Sequence, residues 1–370
     1  MGATGAPEND SEDGMLAEMR ITVARAQGGR AHMEDRHHVE VVRDTNNHLM
    51  YVFAAVYDGH GGDEASRYAR KHLHINIMKD PLFGSDRDDD VLQAIRNGFI
   101  RTHHDMRHYI KDDSTAGTTA TCAIFREGKL FFGHVGDSAI IRVSSEGTGK
   151  MLTQEHKPDL ERDRVEALGG TVMCKGGTWR VARRVSNPST GEFMADVPKL
   201  NMSRALGDFW SKDPTTGEYA VSPEPDVDVV QLYSHDKFIV LVSDGVTAVL
   251  EPKGFVELLE MAEGRGVHLK GLYKPSPEYE TNYAQFILQI AATIWKKAHT
   301  PSDNITVVCI KLAPCSSFRG LEASVAADSP DLQLSKAIAS DSSAALRVTY
   351  RTNQQLRTNP IRACKMGAIA

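Results

Sequence analysis

The stretch VFAAVYDGHGG, residues 52–62, is the part of the sequence that best indicates the fold. Its first six residues are apolar and rich in β-branched and aromatic side chains, which is typical of a buried strand. Asp58 follows directly and stands in a glycine-rich turn. A glycine backbone can approach a bound ion closely and offer it a carbonyl oxygen. One aspartate after a strand is ordinarily a turn residue, so the meaning of Asp58 depends on whether the arrangement recurs.

Acidic residues do recur at the ends of apolar strands. The further positions are Glu34 with Asp35, Asp137, Asp244 and Asp303. Because strand ends in a packed sheet lie close together, we expect these side chains to converge in one cleft. Crowded carboxylates raise one another's pKa unless cations are present. Oxygen ligands without a supporting His/Cys cluster favour Mg²⁺ or Mn²⁺ over Zn²⁺. The pattern therefore predicts a carboxylate-rich metal site, most simply a binuclear one.

A site of this kind suits phosphoryl chemistry. Two hard cations about 3.5–4 Å apart can bind a bridging water, lower its pKa and hold a phosphoryl group for in-line attack. Arg30, four residues before Glu34, would supply positive charge for the remaining phosphate oxygens. His60, in the turn after Asp58, could donate a proton to the leaving alkoxide. Taken alone, His60 would be a surface turn histidine; its neighbours favour the catalytic role.

The hydrophobic pattern predicts a mixed fold. We expect strands at residues 49–57, 118–125, 129–135, 140–143, 237–243 and 305–311. We expect helices at residues 63–78, 91–110, 160–168 and 283–298. Strands and helices are interleaved without the strict alternation of a parallel sheet, which indicates central sheets with helices outside.

Composition and charge argue against several classes of protein. The 43 Lys and Arg against 49 Asp and Glu give a net charge of −6, without a general attraction to nucleic acid or anionic membranes. The longest apolar run, residues 49–57, is far shorter than the roughly 20 residues that span a bilayer. The five cysteines form no CxxC pair and are odd in number, which favours reduced thiols inside a cell over a disulfide framework or zinc site.

We predict three segments along the chain: a mobile leader at residues 1–19, one compact domain at 20–312 and a weakly ordered Ala/Ser-rich tail at 313–370. Within the domain, the residues between Gly170 and Ser203 are expected to form an irregular flap. Long loops in compact domains tend to be functional. Three arginines of the flap could bind acidic or phosphorylated side chains, although an ordinary solvated charge run stays open. They are Arg180, Arg183 and Arg184.

The ordered set of motifs resembles the metal-dependent serine/threonine protein phosphatases of the PPM (type 2C) family, over roughly residues 20–312. The motifs are RAHMED (30–35), DGHGG (58–62), GDS (136–138), HKP (156–158), ALGD (205–208), SDG (243–245) and DN (303–304). A closer likeness to the damage-induced, Wip-type branch rests on residues 26–30, 156–173 and 204–226. The family resemblance implies an α+β fold, a four-layer αββα sandwich in which two central antiparallel β-sheets are flanked by helix pairs.

The resemblance also implies a metal centre of two Mg²⁺ or Mn²⁺ ions and a weaker third. Asp58 would bridge the two ions, and the carbonyl of Gly59 would bind one of them. Asp244 and Asp303 would complete the protein ligands of the second ion.

The remaining roles implied by the resemblance are as follows. Glu34 and Asp35 would act mainly through metal-bound waters, and Asp137 would belong to the third metal position. Arg30 would hold the substrate phosphate and His60 would be the general acid. The activity implied is hydrolysis of phosphoserine and phosphothreonine in proteins by a hydroxide that bridges the two metals, without a phosphoenzyme intermediate.

One departure from the family pattern lies after Asp244. The family usually shows Asp-Gly-x-Trp followed by Asp or Asn, whereas this chain has Thr247 and Ala248 at the last two positions. Ala248 offers no ligand, so a third metal would depend mainly on Asp137 and Asp244. This departure motivates an alternative, a catalytically weak pseudophosphatase that binds phosphoproteins.

A second alternative is a metal-dependent phosphodiesterase or nuclease, against which the acidic net charge argues. We expect phosphorylated proteins as partners, no nucleic acid and no membrane, and a monomer. The expected location is the nucleus or the cytoplasm, with the nucleus favoured only by the Wip-type likeness.

Overall fold

The computed structural model describes residues 16–111, 114–186, 193–213, 216–263, 282–314, 324–325 and 348–351. The strands are β1 Leu16–Ala26, β2 Arg36–Arg43, β3 Leu49–Tyr57, β4 Gly59–His60, β5 Gly117–Thr118, β6 Ala120–Arg126, β7 Lys129–Val135, β8 Ala139–Ser144, β9 Gly149–Met151, β10 Thr171–Lys175, β11 Thr178–Ser186, β12 Phe193–Leu200, β13 Leu206–Gly207, β14 Asp226–Gln231, β15 Asp236–Val242, β16 Ile305–Pro314, β17 Ser324–Val325 and β18 Val348–Arg351. The helices are α1 Glu64–Met78, α2 Asp88–Met106, α3 Arg162–Ala167, α4 Asp244–Thr247, α5 Pro252–Ala262 and α6 Tyr283–Lys297, with 3₁₀ turns at Pro81–Gly84 and Phe209–Ser211.

Two large sheets form the centre of the fold. The first has the strand order β17-β1-β16-β15-β8-β9, with β18 also paired to β1, and the second has the order β14-β7-β6-β3-β2. Neighbouring strands are antiparallel, apart from the parallel pair β1 and β17.

Strand β3 shows why the two sheets stack. Its alternate side chains Val52, Ala54 and Val56 join a cluster between the sheets that also holds residues of β1, β15 and β16. The opposite side chains, Phe53, Ala55 and Tyr57, pack in a second cluster with residues of α1 and α2. Because both faces of β3 are covered, its sequence is a continuous apolar run and not an alternation.

A third cluster covers the outer face of the first sheet with α5 and α6. It includes Val240, Phe255 and Phe286, all at most 2 % exposed. The layers are therefore helix pair, sheet, sheet and helix pair, and the predicted αββα sandwich with two antiparallel sheets is confirmed. Among the described residues, no helix is both long and apolar enough to cross a membrane.

Most predicted elements are present within a few residues of their expected bounds. Strands 49–57 and 129–135 agree with β3 and β7, and the helix predicted at 160–168 is shorter, Arg162–Ala167. The prediction missed six strands of the central sheets and one flanking helix. These are β1, β2, β9, β14, β17, β18 and α5.

The predicted irregular flap is wrong: β10, β11 and β12 form a three-stranded antiparallel sheet. The turn between the first two strands is Gly176-Gly177, with φ angles of +62° and +82°. Two consecutive positive φ angles are those of a tight hairpin turn, which glycine adopts without strain. Residues 187–192 between β11 and β12 lie outside the described part of the chain.

The central sheet extends beyond the predicted domain bounds. Strand β1 begins at Leu16, and its Ala17 pairs with Pro314 of β16. Residues 16–19 therefore belong to the sheet and not to the predicted leader. Two short strands within the predicted tail, β17 and β18, pair with β1. The predictions for residues 1–15 and for the rest of the tail lie outside the described residues.

Candidate active site

Acidic residues from five strand ends meet at one end of the sandwich. Asp58 follows β3, Asp137 lies between β7 and β8, Asp244 follows β15, Asp303 precedes β16, and Glu34 with Asp35 precedes β2. A cavity of about 660 Å³ opens here. Its lining includes eight of the sequence-predicted residues, Arg30, Glu34, Asp58, Gly59, His60, Arg180, Asp244 and Asp303. Asp35 and Asp137 are buried, with 0 % and 8 % exposure, and do not line it.

The carboxyl groups lie close enough to perturb one another strongly. Burial, followed by the charges of Asp35, Asp244 and Asp137, raises the pKa of Asp58 well above its usual value. Burial raises the pKa of Asp137 to about 7, with a further rise from Asp244 and Glu155. The carboxyl groups of Asp58 and Asp244 also share a hydrogen bond. Ionising all of these groups together therefore requires positive countercharge.

Asp35 is the most enclosed member of this group. One carboxylate oxygen, Oδ2, accepts hydrogen bonds from the hydroxyls of Ser243 and Thr306 at 2.9 and 2.8 Å. Burial raises the pKa of Asp35 to about 7; these two hydrogen bonds oppose the rise, and the charges of Asp244 and Asp303 add to it.

Three buried carboxylate oxygens have no hydrogen-bond partner among the described residues: Asp35 Oδ1, Asp137 Oδ1 and Asp244 Oδ1. A buried oxygen of this kind is costly unless a ligand satisfies it. The donor set is made of oxygens, the ligands that Mg²⁺ and Mn²⁺ prefer. The residues present thus fit hard divalent cations.

Two threonines that the sequence analysis passed over fix the backbone of Asp58. The amide of Asp58 donates to the Thr119 hydroxyl at 3.0 Å, and its carbonyl accepts from the Thr118 hydroxyl at 3.0 Å and from the Thr119 amide at 2.9 Å. The Thr119 hydroxyl also bonds to that of Ser138, 2.8 Å away, beside Asp137. The two acidic loops are therefore held together through hydroxyl groups.

Gly59 brings the Glu34 loop against the Asp58 loop. A Cβ atom at Gly59 would lie 2.5 Å from the carbonyl oxygen of Glu34 and 2.8 Å from the hydroxyl of Ser66, closer than real contacts allow. Ser66 donates to that same carbonyl, and the amide of Gly62 donates to Glu34 Oε1 at 3.0 Å. Position 59 therefore has no room for a side chain.

Asn304 has a structural role that its sequence neighbourhood does not reveal. Its Oδ1 accepts from the amide of Glu34 at 2.7 Å, and its Nδ2 donates to the carbonyls of Gln27 and His32 at 2.8 and 3.0 Å. These bonds fasten the loop that carries Arg30 to the start of β16. The Arg30 side chain is 61 % exposed, and its guanidinium forms an ion pair with Asp303 at the cavity mouth.

His60 is paired with a carboxylate that the sequence analysis did not single out as functional. Its Nε2 lies 2.8 Å from Oδ2 of Asp208, whose side chain is 1 % exposed. Burial disfavours the charged imidazolium, but the charge and hydrogen bond of Asp208, together with the charges of Asp137 and Glu34, outweigh burial, so the pKa of His60 is raised. The ion pair therefore favours a protonated ring.

The flap sheet contributes basic residues to the cavity wall. Arg180 and Lys199 both line it, and Arg180 donates to the Lys199 carbonyl at 3.1 Å. Of the three arginines predicted to contact substrate, Arg180 is thus placed at the cavity. The side chains of Arg183 and Arg184 lie outside the described part of the structure.

A second group of possible metal ligands lies nearby. His134, His156 and Asp226 each offer a ligand atom within 4.8 Å of the others. However, His156 Nδ1 accepts the amide hydrogen of Gly136 at 3.0 Å, so Nε2 carries the ring proton, 3.2 Å from Asp226. Asp226 also accepts from Arg204 at 2.8 Å. The side chains of His156 and Asp226 are therefore already engaged in hydrogen bonds with their neighbours.

Because this chain has Thr247 and Ala248, the end of α4 carries no side chain that could bind a metal ion. Ala248 is exposed, and its amide donates to the carbonyl of Asp244 at 2.9 Å. Behind this turn, the indole of Trp295 in α6 donates to the carbonyl of Gly245 at 2.7 Å. Asp244 is thus held by backbone contacts, and position 248 adds no carboxylate.

The double sandwich with carboxylates at its strand ends is the architecture of a known phosphatase class. The family model described as protein phosphatase 2C matches residues 19–265. The chain belongs to the protein phosphatase 2C family, whose members generally use divalent metal ions.

Similar proteins come from several eukaryotes. A probable protein phosphatase 2C of Caenorhabditis elegans is 33% identical over 249 residues, 65% of this chain and 62% of the relative. A protein phosphatase 2C homolog of Hypocrea jecorina is 30% identical over 275 residues, 71% of this chain and 57% of the relative. A probable protein phosphatase 2C of Arabidopsis thaliana is 31% identical over 224 residues, 60% of this chain and 51% of the relative. The chain thus spans between about half and three fifths of the length of these three relatives.

Solved structures show the same fold. A serine-threonine phosphatase 2C from Toxoplasma gondii superposes with a TM-score of 0.64 at 24% identity, covering 80% of this chain and 95% of that one. A C. elegans sex determining protein superposes with a TM-score of 0.59 at 26% identity, covering 80% and 64%.

Proposed function

We propose that this chain hydrolyses phosphoserine and phosphothreonine in proteins, with water as the nucleophile and no phosphoenzyme intermediate. The observation that carries the proposal is the set of unpartnered carboxylate oxygens beneath a cavity that also presents Arg30 and His60. Membership of the protein phosphatase 2C family supports it.

The metal centre in this proposal consists of two Mg²⁺ or Mn²⁺ ions, and its protein oxygens come from Asp58, the Gly59 carbonyl, Asp244 and Asp303. Glu34 and Asp35 would act mainly through water, and Asp137 with Asp244 would form a weaker third position. When bound, such ions supply positive charge and lower the pKa of a water. The raised carboxyl pKa values and the oxygen-only donor set support this assignment.

The charged side chains at the cavity mouth would bind the phosphate and protonate the leaving group. A guanidinium can bind two phosphate oxygens at once, and a substrate phosphate would replace Asp303 as the partner of Arg30. His60, whose charged form is favoured by Asp208, would donate a proton to the serine or threonine oxygen as it leaves.

Recognition of the protein substrate is assigned to the flap. Arg180 at the cavity wall, together with Arg183 and Arg184 of the same strand, would attract acidic or phosphorylated side chains beside the target residue. The Wip-type likeness, with a nuclear location, belongs to the same proposal and rests on sequence motifs alone.

Two reactions, each run with Mn²⁺ and with EDTA, test the activity: phosphate release from a phosphothreonine peptide, and cleavage of a dinucleotide into a nucleoside and a nucleotide. We expect metal-dependent phosphate release from the peptide and no cleavage of the dinucleotide. Cleavage of the dinucleotide without phosphate release from the peptide would favour the phosphodiesterase alternative. Peptide binding without release, by a folded protein, would favour the pseudophosphatase alternative, and Ala248→Asp would then show whether the missing carboxylate is the cause.

A further inference from the structure

The pair formed by His60 and Asp208 is fixed on the carboxylate side by more than one contact. While Oδ2 of Asp208 lies 2.8 Å from His60 Nε2, its Oδ1 accepts from the indole nitrogen of Trp210 at 2.6 Å. Both carboxylate oxygens are engaged and the side chain is 1 % exposed. The carboxylate therefore has one orientation, and an ionised carboxylate can only accept, so His60 Nε2 carries a hydrogen.

A small sheet separate from the two large ones brings these two residues together. Strand β5 lies between β4 and β13, so that Gly117 faces His60 on one side and Gly207 on the other. Asp208 follows β13 directly, and its amide donates to the carbonyl of Ala116 at 3.0 Å. Its φ of +50° is in the left-handed region, which aspartate adopts at some cost. Conformations of this kind persist where the surroundings determine them and are concentrated at functional sites.

Gly117 makes the contact between the two side chains possible. A Cβ atom at this position would lie 2.0 Å from Asp208 Oδ2 and 2.4 Å from His60 Nε2. Even the smallest side chain would therefore displace one of the two groups. The same sequence position thus offers an independent way to disturb the pair without altering either partner.

The other ring nitrogen of His60 is left without a partner. Nδ1 is buried and has no hydrogen-bond partner among the described residues, while the residue lines the cavity. Because Nε2 is committed to Asp208, Nδ1 is the ring atom that a ligand can use. A carboxylate that orients one nitrogen of an imidazole while the other exchanges a proton with the reacting group is an arrangement of proven catalytic use.

We propose that Asp208 is a positioning residue that fixes the His60 ring through Nε2, so that the serine or threonine oxygen receives its proton from Nδ1. This inference rests on the proposed phosphatase activity. The phosphorus–oxygen bond to the leaving group breaks and its electron pair stays on that oxygen, which takes the Nδ1 proton. The attacking water forms the new bond to phosphorus, and the proton that it loses restores the charged ring.

The test compares two leaving groups. The alkoxide of a phosphothreonine peptide needs a proton as it leaves, whereas the nitrophenolate of p-nitrophenyl phosphate leaves readily without one. We expect Asp208→Asn to lower kcat on the peptide about 100-fold, the lower end of the range for general acid catalysis, with KM little changed. On p-nitrophenyl phosphate kcat should change less than about 10-fold. Gly117→Ala should reproduce this difference between the two substrates.

The matched control is Asp105→Asn, another loss of one carboxylate, at a side chain of α2 that is 48 % exposed and pairs with Arg101. It should leave both activities unchanged. Equal losses on the two substrates in Asp208→Asn and Gly117→Ala, or an unchanged kcat on the peptide, would overturn the positioning role.

Nitrogen-15 spectra of the histidine rings give a readout that does not depend on activity. His60→Gln identifies the His60 signals. In the wild type we expect a protonated, hydrogen-bonded Nε2, and in Asp208→Asn the loss of that state. An inactive wild type would refute the proposed function, and the spectra would still decide the positioning: His60 signals that are identical in the two proteins would overturn it.

Discussion

The charge on Asp35 should destabilise the metal-free protein, and its removal should stabilise that form. Asp35 is 0 % exposed, and its pKa rises from 3.8 to about 7 on folding. Between these two values the folded protein binds more protons than the unfolded chain, so the free energy of unfolding falls as the pH rises. Below pH 3.8 and above about pH 7 the contribution of Asp35 is constant. The free energy of unfolding falls by about 1.4 kcal/mol for each pH unit of this interval, which amounts to about 4 kcal/mol over the whole interval.

Asp35→Asn keeps the shape of the side chain and an oxygen that can accept from Ser243 and Thr306, but it removes the charge. In EDTA at pH 8 we expect the variant to be more stable than the wild type by up to about 4 kcal/mol. At pH 4 the two proteins should differ little, because the wild-type carboxyl is then protonated in the folded state. With Mn²⁺ the order should reverse, since the variant lacks a negative charge that would stabilise the bound ions through their water ligands.

Urea unfolding followed by tryptophan fluorescence, at pH 4, 6 and 8 with EDTA, measures these differences. Asp105→Asn, on the exposed surface of α2, is the control for the loss of one negative charge. A wild type whose stability in EDTA does not fall between pH 4 and pH 8, or a variant no more stable than the wild type at pH 8, would refute the reasoning.

Three further predictions concern the loops and the flap. Asn304→Ala removes three hydrogen bonds to the loop at 27–34 and should cost about 3 kcal/mol of unfolding free energy, measured by urea titration; a loss under about 0.5 kcal/mol would contradict it. Gly59→Ala places a Cβ 2.5 Å from the Glu34 carbonyl and should weaken Mn²⁺ binding in calorimetry, so an unchanged affinity would count against the close approach. Replacing the three flap arginines by alanine should raise KM for phosphopeptides and spare a small aryl phosphate, whereas equal losses on both would argue against substrate recognition by the flap; the residues are Arg180, Arg183 and Arg184.

The central layers could be predicted from the sequence because a strand buried on both faces is a continuous apolar run. Strand β3 is covered on both faces, so its nine residues include a continuous apolar run, and the acidic turn that follows is visible beside it. Strand β2 has no comparable apolar run, because it carries His37 and His38 between Arg36 and Val39, although His37 is 3 % exposed. The strands β4, β5 and β13 have two residues each and therefore carry no periodic pattern at all.

For the site, residue type and adjacency to a strand predicted six acidic residues that lie together, but not Asp208, which lines the same cavity. The contacts that hold them were not predictable, because each joins residues far apart in the chain. Asn304 and Glu34 are 270 positions apart, and Asp208 and His60 are 148 apart. The turn sequence at Asp208 resembles the family motif, but its role becomes visible only when the small sheet places it beside His60.

The most direct test of the central claim, that the crowded carboxylates form a divalent cation site for phosphoester hydrolysis, is phosphate release from a phosphothreonine peptide across a Mn²⁺ titration. Wild type, Asp58→Asn and the control Asp105→Asn would be compared, each checked for folding. We predict that release by the wild type depends on Mn²⁺, stops in EDTA and falls at least about 100-fold in Asp58→Asn, while the control behaves as the wild type. Release that persists in EDTA, or an Asp58→Asn protein with wild-type activity and metal dependence, would contradict the claim.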